Sequence, residues 1–148
     1  MTGNAKSSFG TKFYLVPDGQ TITGGLVAEM IKTGKPKISR GMQDVTTHDS
    51  AGGAEEVIPE GTYKVEPFTI TIHYVANSTI DQALILAMTG GALQDFEIHE
   101  KGAAGLIKTP GSGYISDYGP DDAEVRGKQT ATFTVTPTGA LTAKSAVA

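Results

Sequence analysis

Residues 129–136 read QTATFTVT. Ala131, Phe133 and Val135 share one face of a period-two repeat, and Thr130, Thr132, Thr134 and Thr136 share the other. That is the pattern of a strand with one side in a core. Pro137-Thr138-Gly139 ends it with turn chemistry. Residues 68–74, FTITIHY, repeat the design: Phe68, Ile70, Ile72 and Tyr74 alternate with Thr69, Thr71 and His73. A Thr-rich face is not a core face. It meets water or another subunit.

Around these segments the chain reads as mainly β. Residues 12–16 form a first strand, stopped by Pro17-Asp18-Gly19. Residues 26–31 mix alternation with good helix formers and are short for a helix, so a strand is expected. Residues 33–40, TGKPKISR, read as a basic turn, and 43–47 as a short strand. Residues 93–100 alternate with Phe96 and Ile98 inward, and 102–105 make a hairpin turn. Residues 106–108 and 113–118 read as two strand pieces separated by Pro110-Gly111, and 119–124 as an acidic turn. Residues 78–90 are the helix, with Ser78 or Thr79 as N-cap and Asp81 or Gln82 as its capping-box partner. Its apolar stripe is Ile80, Ala83, Leu84, Ala87 and Met88, and Gly90-Gly91 stops it.

The 148 residues suit one domain, spanning 1–148. A small polar arm covers residues 1–10, a long polar loop 47–61 and a small-residue tail 140–148. The expected architecture is a two-sheet antiparallel β-sandwich or barrel flanked by one short α-helix, with the loop and both arms protruding. A long polar excursion from a small sheet domain usually exists to touch something.

The chain has 19 Gly and no Cys, which excludes thiolate metal sites and Cys nucleophiles. Its formal charge of −4 argues against a protein that grips nucleic-acid phosphates. No apolar run is long enough to span a membrane, and residues 1–10 lack the apolar stretch of a secretory signal. Synthesis in the cytoplasm is expected.

No enzyme constellation survives scrutiny. His48-Asp49-Ser50 holds the residue types of a nucleophilic triad, but adjacent side chains diverge and cannot adopt triad geometry. Turn hydrogen bonds explain them better. His48, His73 and His99 lie on separate segments without zinc-site spacing. Asp117, Asp121, Asp122 and Glu124 lack the calcium-loop pattern. Thr33-Gly34-Lys35-Pro36 lacks the upstream Gly of a phosphate loop, and Gly111-Ser112-Gly113 does not open a helix. Neither cofactor nor metal is expected.

The order of segments resembles the major tail protein, or tail-tube protein, of long non-contractile-tailed bacteriophages. The carrying residues are 35–40 leading into Asp44-Val45-Thr46-Thr47-His48-Asp49-Ser50, then Glu55-Glu56 and Ile58-Pro59-Glu60-Gly61, and the strand through Tyr74. The match continues through the helix and residues 113–118 to Phe133-Thr134-Val135-Thr136-Pro137-Thr138-Gly139. The resemblance implies a non-enzymatic virion protein with two packed antiparallel sheets and a helix. Hexameric rings would stack into a tube that conducts the genome into the host. Implied partners are further copies of the chain, with the tail tip, tape-measure and tail-terminator proteins; DNA would pass in transit, without specific binding, and no membrane is involved.

The resemblance also assigns roles. Thr47, His48, Asp49, Ser50, Glu55, Glu56, Ile58, Pro59 and Glu60 would form a loop between subunits or rings. Glu55, Glu56 and Glu60 would meet a neighbour's Lys32, Lys35, Lys37 or Arg40. The lumen wall would be the face of Thr69, Thr71 and His73 or that of Thr130, Thr132, Thr134 and Thr136. A mildly acidic wall lets DNA slide past. Two other readings compete: a monomeric β-sandwich module binding a carbohydrate or receptor, and, more weakly, a small hydrolase using a lone histidine. The absence of Trp counts against the first of these.

Overall fold

The computed structural model describes residues 10–21, 25–27, 30–47, 51–103, 105–123, 127–140 and 144–146. The strands are β1 (Lys12–Pro17), β2 (Met30–Thr33), β3 (Lys37–Asp44), β4 (Val57–Glu66), β5 (Phe68–His73), β6 (Gln94–Gly102), β7 (Gly105–Pro120), β8 (Thr130–Pro137) and β9 (Ser145–Ala146), with α1 (Thr79–Gly90) between β5 and β6. The main sheet runs β1-β6-β7-β8-β5-β2, with β9 beside β7, and β3 and β4 form a second sheet. Every pairing is antiparallel. The main sheet curls until its ends approach: Leu26 bridges Tyr14, and the Val27 N–H donates to the Phe13 carbonyl at 2.9 Å. It remains an open sheet rather than a closed barrel.

The alternating segments supply the core as their pattern requires. Phe68, Ile70, Ile72, Phe96, Ile98, Ala131, Phe133 and Val135 are all buried. At the centre, Phe13 stacks on Phe96 with ring centroids 6.2 Å apart, while Phe68 meets Phe96 edge-on at 5.3 Å. Such pairs add roughly 0.5–1.5 kcal/mol each beyond the area they bury.

Where sequence suggests two strands separated by Pro110-Gly111, β7 is continuous. Its first half pairs β6 and its second half pairs β8, with a bulge between Ile115 and Asp117. The Ser112 carbonyl accepts from the Thr138 N–H, so it points away from β6. Pro110, two residues earlier, points the same way, into the gap between β9 and β8, where its missing N–H breaks no ladder bond. Gly111 is there for packing: a Cβ on it would stand 2.5 Å from Cζ of Phe96.

Other expectations shift as well. The strand expected at residues 26–31 begins only at Met30 and extends to Thr33. The basic turn expected at 33–40 and the short strand at 43–47 are largely one strand, β3. Ile58, Pro59 and Glu60, expected in the loop, lie in β4. The connection between the strands is therefore shorter than expected: β3 ends at Asp44, β4 begins at Val57, and a 3₁₀ turn at Ala51–Gly53 lies between them. Gly41 and Gly61 interrupt the alternation that would have revealed the hairpin, and a register shift between Arg40 and Met42 absorbs the mismatch. Pro67 divides β4 from β5, which belong to different sheets. The tail supplies β9, paired with Ile107 and Lys108.

Ser78 caps α1, its Oγ accepting from the Asp81 N–H at 3.2 Å, and Gly91 closes it in the left-handed region at φ 65°. The buried face is Asp81, Leu84 and Ala87, with Ile80 partly covered; Ala83 and Met88, expected inside, are exposed. The buried Asp81 explains the rotation. Its carboxylate accepts from the Tyr118 hydroxyl at 2.5 Å and from the Asn77 N–H at 2.9 Å, fastening the helix to β7. Burial and the Asp81 carboxylate both raise the Tyr118 pKa above its ordinary value, so the hydroxyl stays a donor.

Candidate assembly surfaces

The two Thr faces form one surface. Across β5 and β8, Thr69 stands opposite Thr134, Thr71 opposite Thr132 and His73 opposite Thr130. The Oγ1 atoms of Thr71 and Thr132 are 3.5 Å apart. Thr136 Oγ1 donates to Ser116 Oγ at 2.8 Å and Thr130 Oγ1 to Asp121 Oδ2 at 2.6 Å, so β7 and the turn after it extend the surface. Lys32 on β2 stands opposite Thr71 on the far side. The result is a hydroxyl ladder with Lys32, Asp117 and Asp121 along its margins. Cross-strand Thr pairs suit the pleat because β-branched side chains pack and hydrogen-bond across it.

The β3–β4 hairpin is two-sided. Cross-strand pairs place Ile38 with Val65, Arg40 with Tyr63, Met42 with Pro59 and Asp44 with Val57 on one side. Lys37 with Glu66, Ser39 with Lys64 and Gln43 with Ile58 occupy the other. The side-chain contacts agree with this division. The Arg40 guanidinium lies 5.7 Å from the centre of the Tyr63 ring. Ser39 Oγ donates to Glu66 at 2.6 Å, and Lys64 approaches the same carboxylate at 3.6 Å. The Ser39 hydrogen bond is the main cause that holds the Glu66 pKa below its ordinary value; burial opposes it, and the nearby Lys64 and Lys37 add smaller lowering effects. Hydrogen bonds from the Thr46 side chain and backbone do the same for Asp44.

The residues assigned to subunit contact are distributed as follows. His48, Asp49 and Ser50 lie outside the described residues. Thr47 and Glu55 are exposed. Glu56 closes the loop on its own chain: its N–H donates to Thr46 Oγ1 at 2.8 Å and its carbonyl accepts from the Val45 N–H at 2.9 Å. The Glu60 carboxylate lies against Gly41, where a Cβ would come within 2.3 Å of it. Lys35 pairs within the chain with Glu100, which Lys144 also approaches at 3.9 Å. Lys37 faces Glu66 across the hairpin.

Among the described residues, no cluster of three or more His, Cys, Asp or Glu side chains is arranged to hold a metal, and no helix is long and apolar enough to cross a membrane. His99 pairs with Glu97 at 2.5 Å and leans on Tyr14. His73 lines a cavity of about 160 Å³ beside Ser78, Asp81 and Tyr118, with a buried Nδ1 that meets no hydrogen-bond partner among the described residues.

No protein-family model matches the sequence, and no curated protein matches it. Solved structures do share the fold. The tail of an empty gene transfer agent particle, refined with C6 symmetry, superposes with a TM-score of 0.70 over 93% of this chain and 98% of that one, at 15% identity. The SPP1 tail tube gives 0.60 over 93% and 77%, also at 15% identity. The fold is that of phage tail-tube proteins. A chain in the six-fold symmetrised baseplate of the anti-feeding prophage superposes on it with a TM-score of 0.72 over 94% of this chain and 95% of that one, at 7% identity. At these identities the tail-tube likeness resides in strand order and packing, not in individual side chains.

Sequence reading missed the Asp81–Tyr118 link and the hairpin's apolar side. A carboxylate on the helix's inner stripe signals the first only once Tyr118 is known to lie beneath it. The spacing of Ile38, Met42, Val57 and Tyr63 would signal the second once the glycines are read as interruptions within strands.

Proposed function

We propose that this chain is a structural tube subunit. Copies associate into rings, hexameric by analogy with the C6-symmetric gene transfer agent tail, and the rings stack into a virion tail tube that conducts a genome to the host. The hydroxyl ladder of β5 and β8 lines the lumen, and the β3–β4 hairpin with the connection between its strands reaches between copies. Other tail components cap and fill the tube. The observation that carries this reading is the register of β5 against β8, which merges two Thr-rich faces into one wettable wall.

Physical chemistry supports the assignment. Phosphate adheres to protein mainly through Lys and Arg, and the ladder presents neutral hydroxyls at its centre. Hydroxyl groups stay wet without gripping a polyanion. The outer edge of β2, and the part of β1's edge that Leu26 and Val27 leave open, would gain partners by ring closure.

Negative-stain electron microscopy and sedimentation of the purified chain over a wide concentration range test the reading. Rings or tubes of uniform diameter are expected. A strict monomer throughout refutes it.

A further inference from the structure

Among the described residues, seven of the thirteen large exposed apolar side chains fall on two surfaces, four on one side of the hairpin and three on α1. On the hairpin's apolar side, Ile38, Met42, Val57 and Tyr63 are 54%, 54%, 54% and 42% exposed. On α1, Leu86 is 71% exposed and Ile85 47%. A two-stranded hairpin is marginal in water without something to pack on. The helix is equally unusual: its one charged residue, Asp81, is buried, so its exposed surface bears no charge at all. Depletion of charge at an apolar patch marks the centre of an interface, not an ordinary solvated helix face.

We propose that the apolar side of the β3–β4 hairpin docks on the outer face of α1 in a second copy of this chain. The inference rests on the tube-subunit reading and names the contact within it. The electrostatics match. Arg40 is the one cation on the hairpin's apolar side, and the last turn of α1 holds no basic residue, leaving its carbonyl end partly negative and free to receive a guanidinium. The helix face itself brings no ion into the contact, and Asp44, the one anion on the hairpin's apolar side, lies at the strand's end, where its carboxylate already accepts from the Thr46 N–H at 2.8 Å. The two surfaces differ, so the contact is head-to-tail. Each copy offers a hairpin to one neighbour and a helix to the other, the arrangement that generates rings and open helical arrays.

The chain has no Cys, so cross-linking tests this directly. One preparation carries Met42→Cys and a second carries Leu86→Cys; each chain then holds one thiol, and any disulfide between the two variants joins different copies. Mixed under assembly conditions and oxidised, they are expected to give the 42–86 cross-linked dimer, with a Leu106→Cys chain in place of Leu86→Cys giving little. Leu86→Gln is expected to weaken association about tenfold or more while leaving the thermal midpoint of the monomer in place. Tubes that form without the 42–86 link, that link equally through position 106, or that survive Leu86→Gln unchanged overturn the docking, leave the tube reading standing and assign the hairpin to another partner. A chain that never assembles overturns both.

Discussion

Gly111→Ala tests the packing at the centre of the fold. The new methyl carbon would stand 2.5 Å from Cζ and 3.0 Å from both Cε atoms of Phe96. Carbon atoms rest at about 3.5–4.0 Å, so the ring or the strand must move by about 1 Å. Phe96 cannot simply retreat, because Phe13 stacks on it and Phe68 meets it edge-on. Overpacking of this kind costs about 1–3 kcal/mol, and the lower unfolded-state freedom of Ala offsets about 0.4–1 kcal/mol of it. The net loss is about 0–2.6 kcal/mol with a midpoint of about 1.3 kcal/mol, or about 3–5 °C in Tm at that midpoint for a chain of this size. Thermal unfolding followed by circular dichroism reads it. The decisive measurement is the double-mutant cycle with Phe96→Leu, in which the smaller side chain should absorb much of the Gly111→Ala cost through a coupling of about 0.5 kcal/mol or more. Strict additivity, or a Gly111→Ala chain more stable than the parent, would refute the argument that Gly111 makes room for the ring.

Tyr118→Phe removes the 2.5 Å hydrogen bond to the buried Asp81 and should destabilise by about 1.5–3 kcal/mol, measured by urea unfolding. The hairpin should weaken in acid. Asp44 and Glu66 have folded pKa values below their ordinary 3.8 and 4.5, so their contribution is present above those values and fades as pH falls through the lower, folded ones. Amide protection of β3 and β4, corrected for intrinsic exchange, should drop on acidification while that of β5 and β8 holds; a uniform loss across the protein would contradict this. If the hydroxyl ladder lines a lumen, Thr71→Lys with Thr132→Lys should leave ring assembly intact and make tubes retain DNA at low salt, released as salt rises. A doubly substituted tube that retains no DNA argues for a different lumen face.

Period-two alternation in residues 68–73 and 130–136 determined that these segments are strands and which side of each enters the core, because a pleated strand sends successive side chains to opposite faces. Ser78 and Gly91 likewise marked the ends of α1, because capping is local chemistry. Tertiary structure alone decided three further matters. The register of β5 against β8, set by packing across the core, put both Thr faces on one surface. Phe96, distant in sequence, made Gly111 a packing site within a continuous strand where local rules read a turn. Tyr118 rotated the helix by drawing Asp81 inward, leaving Ala83 and Met88 outside. Local propensity ties each residue to near neighbours in the chain, whereas these three outcomes depend on partners 15 or more positions away, and those contacts exist only once the sheet has curled around its core.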